Sequence, residues 1–467
     1  MLMNSVDPQV AEQPGNLIVR GRDKAAADWD CLHTIIASLR KLESNETLLV
    51  DSGKPAGTYL SDSNAPRVLI VNSPIAAEAN NADGIKPADH ERLLIPGLLS
   101  AANWTYAGTQ TFLPVAYEAL GAVARKHFSA TLAGRLVIAA GMGAMGGAQA
   151  RATTLRGGAF LGIDIDAERI KRHVTTGYCD VMVNSSDEAL RMLKNAVRMR
   201  QATSVGLIAD PAGALEELAT RGVAPDLVTT ESSAAVSMPS ITALVQSMLA
   251  LQRLGSITLD FGSNATCLAY ARGVQHASEI PGFAPEYLGD VIGSHTLLTW
   301  TALSGEPADI TRTERLAVEI FPQNESLRNW FALAKRQIRF QGLPARVCWI
   351  EHRHLAQFGA AINEWVAKGE LRAPVVISGE RRVSNGGASL PEAQVLNAPG
   401  GRQTLRALPV VAEILKAANS ASWASAEIAR DTAVEYPLHI AYALVADGTR
   451  EAGERIERVL AHHCAIG

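Results

Sequence analysis

A glycine-rich turn between two apolar runs carries the clearest chemical signal in the sequence. The first run, 136–140, is followed by an alanine-rich segment of helix-forming residues, and the turn between them holds Gly141, Gly143, Gly146 and Gly147. Glycines let the backbone turn tightly, so that its N–H groups can approach a diphosphate at the N-terminus of the next helix. The second apolar run ends at Asp164, about 20 positions after Gly143, where an acid can bind a ribose hydroxyl. The order strand, glycine turn, helix, strand, acid predicts a dinucleotide site; an ordinary glycine-rich turn without a ligand is the alternative.

Three further predicted strands end in small or polar residues. The residues at these strand ends are Ala209-Asp210, Glu231-Ser232-Ser233, and the segment from Asp260 to Asn264. Strands that alternate with helices predict a parallel sheet, in which ligands bind outside the carboxyl ends of the strands. We therefore expect these three strand ends to surround the cofactor. For any one of them, the alternative is an ordinary polar junction between strand and loop.

The elements that must position these residues follow from hydrophobic periodicity. Predicted helices cover 28–41, 114–126, 169–175, 188–201, 214–221, 240–254, 317–335, 405–416 and 450–462. Predicted strands include 67–72, 181–184, 205–209, 226–230, 257–261 and 439–446, and a strand–turn–strand unit is predicted within 47–60. A further short strand contains Cys348 and is followed by a helix and a second strand. The segment 384–401 is rich in glycine, asparagine and proline and is predicted to be a loop. These elements predict the α/β class.

Composition narrows the classes of function. The 467 residues are 47% hydrophobic and 19% charged with a net charge of −4, which is not the basic balance of a nucleic-acid-binding protein. No apolar run reaches the ~18 residues needed to span a bilayer, and the N-terminus lacks the basic and apolar regions of a signal peptide. The five cysteines are scattered without a CxxC pair, which favours reduced thiols in a cytoplasm. His352 and His354 have no third ligand at suitable spacing, so no metal site is predicted.

The sequence resembles the urocanase (urocanate hydratase) family, in one order, over nearly the whole chain. The strongest blocks are DWDC, ETLLVDSGKPAGT, APRVLIVNS, GMGAMGGAQ, RGVAPDLVT, IPGFAPEY, TALSGEPADI, FQGLPARVCW and ELRAPVVI. The resemblance implies a tightly held NAD⁺ whose nicotinamide is an electrophile for the imidazole ring of urocanate, and water addition that gives an imidazolone propionate. It also implies a cytoplasmic homodimer with a Rossmann-like NAD domain, 108–287, inserted between two core-domain segments, 1–107 and 288–467.

The resemblance also assigns residues. The catalytic pair would be Cys348 and His439, and the set that binds NAD⁺ would be Thr109, Gln110, Gly143, Ala144, Met145, Gly146, Gly147, Gln149, Asp164, Arg169, Ala209, Asp210, Glu231, Ser232, Ser233, Phe261, Gly262 and Asn264. Arg346 lies two positions before Cys348, and a nearby cation would favour the thiolate. A small buried hydrophobe is the alternative for Cys348, and a packed core histidine is the alternative for His439.

Several family positions differ in this chain. The first glycine loop of the family is shortened to Gly21-Arg22-Asp23, and its histidine- and glycine-rich segment is replaced by 427–433. Single positions of the family's pocket have also changed, to Leu98, Ala235, Phe261 and, in place of an arginine, Thr299. Losing that arginine removes a charge-assisted contact to a substrate carboxylate.

The altered pocket is less polar and has more room. It therefore favours a ring-substituted substrate, such as thiourocanate or S-methyl thiourocanate, from the breakdown of a histidine or ergothioneine derivative. Urocanate itself, a paralogue that binds a nucleotide without catalysis, and a conventional NAD dehydrogenase remain as alternatives.

Overall fold

The computed structural model describes residues 1–21, 23–72, 101–231, 238–262, 265–383, 420–428 and 438–461. The strands in these residues are β1 Ile18–Arg20, β2 Asp23–Lys24, β3 Glu46–Asp51, β4 Lys54–Leu60, β5 Val68–Asn72, β6 Leu136–Ala140, β7 Ala159–Asp164, β8 Val181–Val183, β9 Thr203–Ile208, β10 Leu227–Thr230, β11 Ile257–Asp260, β12 His295–Ala302, β13 Ala345–Glu351, β14 Val375–Val383, β15 Trp423–Ile428 and β16 Leu438–Ala446.

The α-helices are α1 Leu2–Ser5, α2 Trp29–Lys41, α3 Ala101–Trp104, α4 Leu113–His127, α5 Ala144–Leu155, α6 Ala167–Thr176, α7 Ser186–Met199, α8 Pro211–Thr220, α9 Met238–Arg253, α10 Ala265–Ala271, α11 Phe283–Tyr287, α12 Gly289–Ser294, α13 Pro307–Ile320, α14 Glu325–Gln337, α15 Leu355–Ala367 and α16 Arg450–Ala461. Short 3-10 helices cover Pro14–Asn16, Gly108–Thr111, Gln275–Glu279 and His352–His354. Among the described residues, no helix combines the length and the apolar character that crossing a membrane requires.

The middle of the chain forms a parallel sheet with the strand order β8-β9-β7-β6-β10-β11. Strands β6 and β7 are apolar and almost wholly buried, because helices cover both faces of the sheet. The chain builds β7 to β9 on one side of β6 and then returns to place β10 on the other side. The order therefore reverses beside β6, which is where open α/β sheets bind ligands.

The two ends of the chain share a second, mixed sheet with the order β13-β12-β14-β16-β15-β5-β3-β4. Strand β5 of the N-terminal segment pairs in parallel with β15 of the C-terminal segment, from Val68 opposite Trp423 to Asn72 opposite Glu427. This pairing confirms the predicted fold class, in which a Rossmann-like domain is inserted between two segments of one core domain. The boundaries at 107/108 and 287/288 stay predictions.

Some of the predicted elements differ from those of the structure. The charged stretch 317–335 is not one helix, because α13 ends at Ile320 and α14 begins at Glu325, with Pro322 between them. Strands β12 and β15 were not predicted, although β12 lies between β13 and β14 in the sheet. The predicted loop 384–401 and helix 405–416 lie outside the described residues.

Apolar packing joins the two domains near the glycine turn. One buried cluster contains Leu113 and Met142 of the inserted domain together with Trp300 and Phe358 of the core domain. A second cluster places Ala144, the first residue of α5, among side chains of the N-terminal segment such as Leu17 and Tyr106. The glycine turn thus lies at the junction of the two domains.

Candidate functional site

The glycine loop, residues 141–147, connects β6 to the N-terminus of α5. Gly141 has a φ of +115°, and a side chain there would collide with the carbonyl oxygen of Glu231. A Cβ atom on Gly143 would lie 2.7 Å from Oε1 of Glu231, and one on Gly146 would collide with the carbonyl oxygen of Gly141. The glycines are therefore required by the close approach of backbone and carboxylate, and their contact with a phosphate stays a prediction.

The carboxylate of Glu231 occupies the anion-binding end of α5. The backbone N–H of Met145 donates to Oε1 at 3.1 Å, and the N–H of Gly146 donates to Oε2 at 2.6 Å. Free N–H groups and the helix dipole make this end of a helix a site for anions. Burial raises the pKa of Glu231 to about 8, although the two hydrogen bonds oppose that shift. The loop amides thus bind a pair of carboxyl oxygens, and here these belong to a side chain of the protein itself.

Asp164 lies at the end of β7, beside the start of the loop. Its Oδ2 accepts the N–H of Met142 at 2.8 Å, and its Oδ1 accepts the N–H of Asp166 at 2.9 Å. Nη1 of Arg169 lies 3.6 Å from Oδ2, and only 3% of Asp164 is exposed. The structure places Asp164 and Arg169 at the loop, as the sequence indicated; the contact to a ribose stays a prediction.

His173 supports the loop from α6, and the sequence did not single it out. Its Nε2 lies 3.1 Å from the carbonyl oxygen of Met142 and 3.0 Å from that of Gly143, so Nε2 carries the proton and donates. Burial lowers the pKa of His173 to about 4, which keeps the ring neutral. The ring also fills the space that a side chain on Gly147 would need. Its position one helical turn after Arg169, on the same face of α6, was the available signal.

The 3-10 helix Gly108–Thr111 packs against α5 and carries two of the predicted cofactor residues. The N–H of Thr109 donates to Oε1 of Gln341 at 2.7 Å. Gln110 is 2% exposed, and its Nε2 has no hydrogen-bond partner among the described residues. A buried amide without an acceptor is costly, so a ligand acceptor would satisfy it.

Gln149 has a structural contact on the inner face of α5. Its Oε1 accepts the hydroxyl of Thr229 at 2.6 Å, which ties α5 to β10. Its Nε2 is buried without a partner in the described part of the chain.

Other predicted cofactor residues have structural roles where they are described. Asp210 is exposed and caps α8, since its Oδ2 accepts the N–H of Gly213 at 2.8 Å, and Ala209 precedes it. The ring of Phe261 stacks on Phe283 with centroids 4.2 Å apart and is 2% exposed, so it offers little surface to a nicotinamide. Gly262 follows with a φ of +88°. Ser232, Ser233 and Asn264 lie outside the described residues.

The electrostatic expectation for Cys348 is wrong. Its thiol is 3% exposed within β13, and burial raises its pKa, although the charge of Arg346 opposes the rise. Nε of Arg346 donates to Oε1 of Glu314 at 2.6 Å, and that carboxylate offsets the cation. The resting thiol is therefore protonated, and its catalytic role stays a prediction. His439 lies in β16 opposite Glu427 and Arg382, but its side chain is outside the described residues.

A buried ionic group, which we call the Arg20 cluster, joins Arg20, Asp23 and Glu380. Nη1 and Nη2 of Arg20 donate to the two oxygens of Glu380 at 3.0 and 2.8 Å, and Nε lies 3.4 Å from Oδ2 of Asp23. The guanidinium carbon is 5.4 Å from the ring centroids of both Tyr106 and Phe112. The sequence did not predict this group, because no local pattern connects Arg20 with a carboxylate 360 positions away.

Residues at the loop fit a dinucleotide in their chemistry. The glycines leave room for close approach of an anion, the amides of Met145 and Gly146 already donate to two carboxyl oxygens, and Gln110 has a buried amide without an acceptor among the described residues. Asp164 lies beside them. Among the described residues, Glu231 accepts from these two amides, so a diphosphate would require its side chain to move.

Comparison with protein-family models accounts for all three parts of the chain. The urocanase N-terminal domain matches residues 1–105, the urocanase Rossmann-like domain matches 108–239, and the urocanase C-terminal domain matches 295–467. The chain belongs to the urocanase family. Membership implies a hydro-lyase of the urocanase type, at the level of the family.

Proposed function

We propose that the protein is an NAD⁺-dependent hydratase that adds water to a urocanate-type imidazolyl acrylate with a substituted ring. The observation that carries the cofactor proposal is the glycine loop, where the amides of Met145 and Gly146 donate to a pair of carboxyl oxygens. Membership in the urocanase family supports the reaction type.

Each loop residue has a defined task in this proposal. The amides of Met145 and Gly146 would bind the diphosphate, Asp164 would bind a ribose hydroxyl, and Gln110 would donate its unpaired Nε2–H to a ligand acceptor. Bound NAD⁺ supplies an electron-poor ring that stabilises charge on the substrate. His173 would keep the loop in shape, through Nε2, without titrating near neutral pH.

The substrate proposal rests on the position at which the family has an arginine. Here Thr299 lies in β12, 8% exposed, between Val347 of β13 and Ser378 of β14. A threonine cannot form the bidentate ion pair that an arginine forms with a carboxylate, and it leaves more space. A bulkier and less polar ring substituent would benefit from that space.

We also propose that the protein acts as a homodimer, as family resemblance implies, which light scattering can test.

The decisive experiment has two steps. Purified protein is denatured, and mass spectrometry identifies any nucleotide that leaves it; we expect NAD⁺. The native protein is then assayed with urocanate, thiourocanate and S-methyl thiourocanate, and we expect faster loss of the acrylate absorbance with a substituted ring. Accumulation of reduced nicotinamide during turnover would indicate a dehydrogenase instead. Nucleotide release without activity on any of the three compounds would indicate a non-catalytic paralogue.

A further inference from the structure

Among the described residues, the side chain of Glu231 lies directly against the glycine loop. Its oxygens take the N–H groups of Met145 and Gly146, and they also lie within 2.8 Å of where side chains on Gly143 and Gly146 would begin. Dinucleotide-binding turns use glycine so that a diphosphate can come this close. An oxygen of a diphosphate and an oxygen of Glu231 cannot both occupy the position from which one of these amides is bound.

The charges around Glu231 do not compensate it. The acids Asp164, at the end of β7, and Glu12, in the N-terminal segment, both disfavour its ionised form. Arg169 lies on Asp164 and Asp166, and Arg172 donates to backbone carbonyls of 9–11. In the described part of the chain Glu231 forms no ion pair. A diphosphate entering here would add negative charge to an acidic neighbourhood.

A second observation concerns a side-chain donor, unpaired among the described residues, on an element that packs against α5. Gln110, on the 3-10 helix against α5, is almost completely buried, yet Nε2 of its side chain lacks an acceptor. Glu231 satisfies the loop amides but leaves this donor unpaired. A ligand with acceptors beyond the diphosphate would satisfy it.

We propose that the carboxylate of Glu231 competes with the diphosphate of a dinucleotide for the amides of Met145 and Gly146, so that binding requires this side chain to leave and is linked to its protonation. The inference rests on the proposed NAD⁺ site and adds a regulator to it. Burial already raises the pKa of Glu231 to about 8, and a bound diphosphate raises it further. Nucleotide binding therefore takes up a proton where Glu231 is ionised, and affinity falls as the pH rises through that range.

The test uses full-length protein freed of nucleotide, titrated with NAD⁺ by calorimetry between pH 6 and pH 10. The variants are Glu231→Gln, which keeps the shape and removes the charge, and Glu231→Ala, which removes the competitor. For the wild type we expect the Kd to rise about tenfold per pH unit once Glu231 is ionised, and proton uptake to appear as a dependence on buffer ionisation enthalpy. Both variants should bind more tightly than the wild type at high pH and should lose this pH dependence.

A matched control is Glu12→Gln, which neutralises a nearby acid that does not contact the loop amides and should retain the pH dependence. Circular dichroism confirms that each variant is folded. If wild type and both Glu231 variants bind NAD⁺ with the same affinity and pH profile, Glu231 is not a competitor, although the cofactor proposal survives. Weaker binding by both variants would make Glu231 a ligand contact and overturn the inference. If no form binds NAD⁺ at any pH, the proposed function and this inference both fail.

Discussion

Three side chains hold the glycine loop, each through backbone groups. His173 donates to two loop carbonyls, Asp164 accepts the N–H of Met142, and Glu231 accepts the N–H groups at the start of α5. The neutral histidine and the protonation-sensitive glutamate have pKa values shifted in opposite directions by the same cause, which is burial. The two groups therefore titrate on opposite sides of neutral pH, His173 with a pKa of about 4 and Glu231 with a pKa of about 8.

Replacing His173 with glutamine should remove a pH-dependent loss of stability. The pKa of His173 is about 4 in the folded protein, against 6.5 for an unperturbed ring. The unfolded chain therefore binds the proton more tightly, so the stability contributed by the neutral ring is complete above about pH 6.5 and is lost as the pH falls towards 4. The loss can reach about 3 kcal/mol at pH 4. Urea unfolding of wild type and His173→Gln at pH 7 and pH 4.5 measures this loss of stability. An equal loss in both proteins at pH 4.5 would contradict the role given to His173.

Thr299→Arg should shift substrate preference towards plain urocanate. An arginine would restore a charge-assisted contact to the carboxylate and take up the space available to a ring substituent, and such a contact contributes about 1.5–3 kcal/mol. We expect the ratio of kcat/KM for urocanate to that for S-methyl thiourocanate to rise by about tenfold or more. Thr299→Val, which adds no charge and keeps the volume, is the matched control. An unchanged ratio in folded Thr299→Arg would count against the pocket interpretation.

At the scale of elements, the N-terminus of α5 is held in position by the elements that pack against it. The helix is pinned by Thr229 and Gln149 on its inner face and by the 3-10 helix Gly108–Thr111 beside it. Strand β10 places Glu231 beside the first turn of α5, because Thr230 pairs with Ala140 at the end of β6. The parallel register of these strands is thus what brings carboxylate and loop together.

Gly146→Ala should abolish nucleotide binding and destabilise the protein. The added methyl group would collide with the carbonyl oxygen of Gly141 and lie 2.8 Å from Oε2 of Glu231, and the backbone atom cannot move aside cheaply. We expect a loss of about 1–3 kcal/mol in the free energy of unfolding, as for other overpacked sites. Gly293→Ala in α12 is the control, since nothing lies within 4 Å of its added Cβ and alanine favours a helix. Thermal unfolding and NAD⁺ titration of both variants measure the loss of stability and the loss of binding. Normal binding by Gly146→Ala would contradict the proposed role of the loop.

At the scale of the whole molecule, the core domain is complete only when both ends of the chain have folded together. The pairing of β5 with β15 and the Arg20 cluster both connect the N-terminal segment to the C-terminal segment. The inserted domain is in turn packed into the core domain through the cluster that contains Met142 and Trp300. We therefore expect one cooperative unfolding transition rather than separate transitions of two domains.

Removal of Arg20 tests this connection. Arg20→Met would leave the carboxylates of Asp23 and Glu380 without their cation, and breaking a buried pair costs about 3–5 kcal/mol. Neutralising the second partner as well, in Arg20→Met/Glu380→Gln, should restore part of that loss, and the single variant Glu380→Gln completes the double-mutant cycle. Urea unfolding followed by fluorescence and by circular dichroism gives the coupling energy and shows whether the two transitions coincide. Strictly additive effects would mean that the two side chains do not stabilise each other.

Local patterns were enough to predict much of the molecule. The glycine spacing, the acid at the end of β7 and the alternation of strands and helices depend on neighbouring residues, so the Rossmann-like sheet and the position of Asp164 could be predicted. Helix α2 is similar, since Asp28 caps it through the N–H of Cys31 as its sequence suggests.

Contacts between distant parts of the chain came only from the fold. Strand β15 forms because β5 and β16 lie on either side of it, and Arg20 is paired because Glu380 reaches it from β14. Burial likewise reversed the expected pKa shift of Cys348, and it left Phe261 stacked on Phe283. Above all, it is the register of β10 beside β6 that places Glu231 at the anion site. Burial and cross-strand register are properties of the assembled sheets, and no spacing along one segment encodes them.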